Sequence, residues 1–184
     1  LMCALRHVHV PGYSAIVFRR TYTDLALPGA IMDRSHHWLG GTAASWNSVD
    51  KRWTFPSGAT IQFGYLDTDR DKYRYQSAEF TGVFFDELTQ FPESSYLYMQ
   101  SRLRRPKGFV VQPHARSASN PGGIGHDWVH RRFVAPTAAY PFVPSTLADN
   151  PYIDADDYRT RLRKLDSNTR AQLLDGKWIR DGQG

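Results

Sequence analysis

Cysteine is almost missing from this sequence: Cys3 stands alone in 184 residues. One thiol excludes a disulfide within these residues and is compatible with a reducing cytosol. No apolar run approaches the roughly 20 residues that a bilayer-crossing helix needs, and no signal-peptide pattern is present. Internal repeats and low-complexity tracts are lacking too. The excess of positive charge is small, 23 Lys and Arg against 18 Asp and Glu, a formal +5. That permits a polyanionic partner without requiring one. What is present is ordinary for a globular protein, 41% hydrophobic and 22% charged residues, in a length that suits one domain with at most a small appendage.

The most informative stretch is Gly82-Val83-Phe84-Phe85-Asp86-Glu87. A short apolar run bounded by turn signals reads as a buried strand of a parallel sheet. Such strands end where open α/β sheets bind ligands. Two carboxylates at that edge are costly to desolvate unless they meet a cation or move a proton. A nucleotide hydrolase needs that pairing: one Asp to hold Mg2+ on the phosphates, one Glu to orient water. The same residues also read as a strand ending in a solvated acidic turn.

The rest of the chain alternates. Residues 1–9 read as the later turns of an amphipathic helix, which Pro11-Gly12 breaks. Residues 14–18 form a buried strand with Arg19-Arg20 at its exit, a pair suited to phosphate or carboxylate as well as to solvent. A helical apolar spacing runs over 27–38, after N-cap candidates at 21–24. Residues 52–55 and 60–63 flank Pro56-Ser57-Gly58 as a β-hairpin. Residues 67–76 are too polar to bury and are expected as a surface loop, solvated or presenting Arg74 to a neighbour. A helix over 92–103 starts at Pro92 and ends in Arg102, Arg104 and Arg105, where cations complement the dipole. Residues 109–111 read as a short edge strand, and 114–120 as a strand ending in Ser119-Asn120. Pro121-Gly122-Gly123-Ile124-Gly125-His126 follows, a flexible loop whose backbone can approach a ligand. A basic helix opens at 128–133. Residues 140–146 look like an edge strand. Helices over 154–165 and 167–174 follow, the second capped by Ser167 and stopped by Gly176. This order predicts an α/β fold with a mostly parallel sheet covered on both faces.

The residues resemble a family. Phe84-Phe85-Asp86-Glu87-Leu88-Thr89-Gln90-Phe91 is similar to the Walker B segment of tailed-bacteriophage terminase large subunits. Ser117-Ala118-Ser119-Asn120-Pro121-Gly122-Gly123-Ile124-Gly125-His126-Asp127-Trp128-Val129 resembles that family's motif III coupling segment and the loop after it. Phe18-Arg19-Arg20-Thr21-Tyr22, Ser101-Arg102-Leu103-Arg104, Thr146-Leu147-Ala148-Asp149-Asn150-Pro151-Tyr152 and Leu174-Asp175-Gly176-Lys177-Trp178 resemble further segments, in the correct order. The resemblance implies a RecA-like ATPase domain over 1–176, with 177–184 starting a linker toward a nuclease domain. It implies ATP and Mg2+, double-stranded DNA, a homo-oligomeric ring on the portal protein, a small terminase subunit as partner, and the host cytoplasm as the place of work, with no membrane. Carried over by position, Asp86 is the Mg2+ ligand and Glu87 the water-orienting base, while Ser119 and Asn120 couple nucleotide state to DNA movement.

Two departures stand out. No G-x-x-x-x-G-K-[ST] phosphate loop occurs, and the resemblance places it just upstream of Leu1. The chain therefore reads as a segment of a longer polypeptide, inactive by itself. Many relatives carry Arg-Gly about ten residues before the Walker B Asp, an offset taken from the resemblance, where this chain has Gln76-Ser77. Arg74 is the substitute candidate for a trans-acting catalytic arginine, with Arg102 and Arg104 as rivals at the nucleotide. A helicase-like nucleic-acid-dependent ATPase and a catalytically incomplete scaffold or DNA-contacting fragment are the alternative readings.

Overall fold

The computed structural model describes residues 1–179. The chain divides into two compact units, one formed by Leu1–Glu87 with Ser94–Ala118, the other by Leu88–Glu93 with Ser119–Gly184. The first unit holds the sheet. Its strands are β1 (Ser14–Arg19), β2 (Ser45–Asn47), β3 (Arg52–Thr54), β4 (Thr60–Tyr65), β5 (Gly82–Asp86) and β6 (His114–Ala118), in the order β2-β3-β4-β1-β5-β6. The run β4-β1-β5-β6 is parallel, and β2 and β3 extend it antiparallel. The expected hairpin is β3–β4, and the expected central strands are β1 and β5. Ala15, Ile16, Val17 and Phe18 are sealed from solvent, as are Val83 and Phe85. Burial on both faces is why these strands read as continuous apolar runs rather than alternating ones. Each such large side chain contributes roughly 1.5–3 kcal/mol relative to exposure.

Helices depart from the sequence expectations where local chemistry intervenes. Only α1 (Met2–Leu5) is α-helical in the first nine residues; tight turns follow, with Val8 donating to Leu5 O and Val10 to His7 O. A separate short helix, α2 (Tyr22–Ala26), precedes the expected 27–38 helix, of which only the part from 31 on is helical, in α3 (Ile31–Leu39). Pro28 pushes Leu27 out of the helical region, to ψ 150°. Thr21 caps α2 by accepting the Asp24 amide at 3.1 Å. Residues 67–76 are not an open loop. A 3-10 helix spans Asp69–Tyr75, closed by a reciprocal Thr68–Asp71 capping box, and Asp71 and Lys72 are buried. The segment buries charge because its charges are paired: Lys72 Nζ lies 2.6 Å from Asp69 Oδ2, and Asp71 accepts the Thr68 amide at 2.7 Å.

The helix after β5, α4 (Glu93–Gln100), stops before the arginines expected at its end. Neither 109–111 nor 140–146 is a strand. In the second unit, α5 (His126–Val129) runs into a π-helical turn, His130–Val134, instead of one regular helix. Then come α6 (Ala155–Leu162) and α7 (Ser167–Asp175). Asp166, not Ser167, caps α7, accepting the Thr169 amide at 2.9 Å, and Gly176 ends it at φ 62°. The linker expected over 177–184 lies partly outside the described residues. No helix among the described residues is long and apolar enough to cross a membrane.

Candidate functional site

The carboxyl end of the parallel strands gathers charge. Phe18 is the register partner of Phe85, so Arg19, the next residue of β1, falls beside Asp86 at the tip of β5. Arg19 Nε lies 2.9 Å from Asp86 Oδ2, an ion pair outside hydrogen-bonding angles. The Asp86 side chain is 27% exposed. The Arg19-Arg20 pair is thereby resolved: Arg19 faces a carboxylate, and Arg20 donates to the Leu66 carbonyl at 2.7 Å. Glu87 follows at φ 57°, in the left-handed region. That conformation costs a side-chain-bearing residue roughly 1–2 kcal/mol, which the surrounding fold must offset.

Arg74 belongs to the same end of the sheet. Its guanidinium lies 4.9 Å above the Tyr65 ring and pairs with Asp71 at 2.6 Å, half exposed. Tyr65 is the register partner of Arg19, so two strand spacings, about 10 Å, separate its backbone from that of Asp86. Arg102 and Arg104 lie elsewhere. Phe80 donates to Arg102 O at 3.0 Å and accepts from the Arg104 amide at 2.9 Å, so both arginines bracket the amino-terminal approach to β5. About 20 Å of extended chain runs from Phe80 to Asp86. Arg102 is engaged by the Gln76 carbonyl at 2.6 Å and by the Tyr98 ring; Arg104 donates to Ser101 O and Leu103 O. The structure therefore brings Arg74 toward the Asp86 end of the sheet but leaves Arg102 and Arg104 at the other.

In the second unit, Ser119 and Asn120 are held by Thr89, a residue to which the sequence motifs gave no role. The Thr89 amide donates to Ser119 Oγ at 3.0 Å; its hydroxyl lies 2.8 Å from Ser119 Oγ and donates to the Asn120 carbonyl at 2.9 Å. Thr89 is 3% exposed. A hydroxyl two residues past an acidic pair was the signal available, since such a group must find partners once buried. The glycine-rich loop is not a flexible ligand cradle. The Gly125 amide donates to Thr89 O at 2.7 Å, and Trp128 Nε1 donates to Phe91 O at 2.9 Å. A Cβ on Gly125 would sit 2.6 Å from Phe91 O, and one on Gly123 2.7 Å from Thr89 O. These glycines permit close approach to protein backbone rather than to a ligand. Arg131 pairs with Glu93 at 2.9 Å.

Among the described residues, no group of three or more His, Cys, Asp or Glu is placed to hold a metal ion. Mg2+ needs no such cage, since it binds one or two carboxylates with phosphate oxygens and several waters. Asp86, part-exposed at a strand tip, fits that mode. Arg19 is the cation that balances its charge in this structure.

A family model described as terminase large subunit, T4likevirus-type, N-terminal, matches residues 1–184. No curated protein matches the sequence. Solved structures of the large terminase from a thermophilic bacteriophage share the fold. One crystal form gives a TM-score of 0.68 at 14% identity, over 92% of this chain and 41% of that one. The complex with ADP gives 0.70 at 15% identity, with the same coverage. The complex with ATP-gamma-S gives 0.65 at 18%, over 92% of this chain and 40% of that one. The chain thus spans about two-fifths of the length of these relatives. With the family model matched from end to end, the chain belongs to the T4-like terminase large subunit family, in its N-terminal part.

Proposed function

We propose that the chain carries the Walker B and coupling portions of a RecA-like ATPase that drives double-stranded DNA into a procapsid. The observation that carries this reading is Asp86-Glu87 at the carboxyl tip of the buried parallel strand β5. Asp86 holds Mg2+, which when bound neutralises charge on the nucleotide phosphates. Glu87 accepts the proton of the attacking water and orients it. Ser119 and Asn120 respond to the nucleotide through Thr89, whose backbone is two residues from Glu87. Arg74 is the candidate for the trans-acting arginine, half exposed and released from Asp71 on assembly. Arg102 and Arg104, expected from the sequence at the nucleotide, would need a neighbouring subunit to reach one.

The large terminase of the thermophilic phage binds ADP and ATP-gamma-S, which supports nucleotide binding for the family fold. Residues 1–176 as the ATPase domain, the phosphate loop upstream, the portal protein, the small terminase subunit, a homo-oligomeric ring and work in the host cytoplasm all belong to this same proposal. The test is Glu87→Gln in the full-length subunit. DNA-stimulated ATP hydrolysis falls at least about 100-fold while ATP-gamma-S still binds. Undiminished hydrolysis overturns the assignment.

A further inference from the structure

At the end of the sheet opposite Asp86, basic groups converge. Gly82 opens β5 and His114 opens β6, and the two are register partners. The turn after α1 passes the same end on its way to Tyr13 and β1. A cleft of about 490 Å3 opens there. Arg6, His7 and His9 line it from one side, His114 and Arg116 from the other, and no carboxylate among the described residues lines it. The His7 and His114 rings are 5.7 Å apart, edge to face. Tyr13 packs against both, 5.6 Å from His7 and stacked 6.5 Å from His114. Tyr13 is 1% exposed and its hydroxyl has no hydrogen-bond partner among the described residues.

Two guanidiniums and three imidazoles facing one another repel when charged. Burial lowers the His7 pKa, and the neighbouring charges of His114, Arg6, His9 and Arg116 lower it further. An oxyanion among them reverses the repulsion. Donors arriving from two walls suit a tetrahedral anion better than a planar one, and guanidinium forks match phosphate oxygens. We infer that this cleft binds a phosphate group through Arg6, His7, His114 and Arg116, at a site separate from the Asp86 end of the sheet. The strand β5, about 13 Å from Gly82 to Asp86, keeps the two sites apart. The phosphate is either the free ion or a phosphodiester of duplex DNA. The inference does not depend on ATP hydrolysis.

The experiment uses the full-length subunit, saturated with ATP-gamma-S to occupy any nucleotide site and labelled at the histidine ring carbons. His7→Gln and His114→Gln assign the resonances. Inorganic phosphate and a short duplex DNA are titrated separately. Phosphate shifting both rings, with tighter binding at pH 6 than at pH 8 and a raised His7 pKa, supports the site with the free ion as ligand. Duplex DNA shifting them where phosphate does not supports the site with the backbone phosphodiester. In either case Arg6→Gln with Arg116→Gln, both exposed rim residues, weakens binding about tenfold, a loss of about 1.4 kcal/mol, without changing the melting temperature. Rings that move with neither ligand overturn the inference, as they do if another segment of the full-length protein fills the cleft. So do shifts that persist undiminished in the arginine variant.

Discussion

Thr89 and Glu87 show how single residues carry the coupling proposal. Glu87 sits in a left-handed conformation that a side chain adopts only under constraint. Two residues on, Thr89 makes hydrogen bonds to both Ser119 and Asn120. Thr89→Val keeps the shape and removes the hydroxyl, so the Ser119 hydroxyl and the Asn120 carbonyl each lose that contact. The expected cost is roughly 1–2 kcal/mol, read as a lower urea midpoint at unchanged slope, and DNA stimulation of hydrolysis weakens with it. A variant as stable and as DNA-responsive as the parent would remove Thr89 from the coupling path. Asp86 was legible because its chemistry is local, an acid at the end of an apolar run. Arg19 as its partner was not, since nothing local relates residues 19 and 86; the register of β1 on β5 brings them together.

Among the elements, the 3-10 helix Asp69–Tyr75 departs furthest from expectation, and its charges explain why. The Asp69 carboxyl is held below the usual range, first by the Lys72 hydrogen bond and next by that of Ser94. A depressed acid pKa stabilises the fold above the unfolded-state value, about 3.9, and that contribution is lost as pH falls through the folded value. Asp69→Asn therefore lowers the urea midpoint at pH 7, and the gap from the parent closes below about pH 4. A gap independent of pH would show that the carboxylate charge contributes nothing. Composition predicted a solvated loop here because polarity was counted without pairing. A local limit also started α3 at 27 rather than 31, although Pro28 stood in the sequence: apolar spacing was followed across a residue that keeps the one before it out of the helical region. The strands β1 and β5, the β3–β4 hairpin and α6 were legible because each is specified within its own few residues, by an apolar run, a Pro/Gly turn or acids in a first turn with bases in a last.

For the whole molecule, the arginines that the sequence ranked, Arg74 first with Arg102 and Arg104 as rivals, lie at different ends of the sheet. Arg74 stacks on Tyr65 at the Asp86 end of the sheet, whereas Arg102 and Arg104 flank Phe80 at the other. If Arg74 acts across a subunit boundary, Arg74→Ala lowers turnover by about 10³-fold in assembled rings and leaves the slow hydrolysis of dilute monomer unchanged. Equal losses in both states would exclude action in trans. Arg102→Ala measured beside it tests the ranking directly, with a smaller loss expected.

The amino-acid sequence by itself determined the α/β class, the buried central strands, the acidic tip of β5 and the family, because burial pattern and short motifs are written in neighbouring residues. Only the tertiary structure decided the strand order, the Arg19–Asp86 pair, the Thr89 contacts and the two ends of the sheet to which the arginines go. It alone assembled the basic cleft, from residues about a hundred positions apart, Arg6 and His7 with His114 and Arg116. Pairing of that kind follows from register and chain crossovers, which no local pattern encodes.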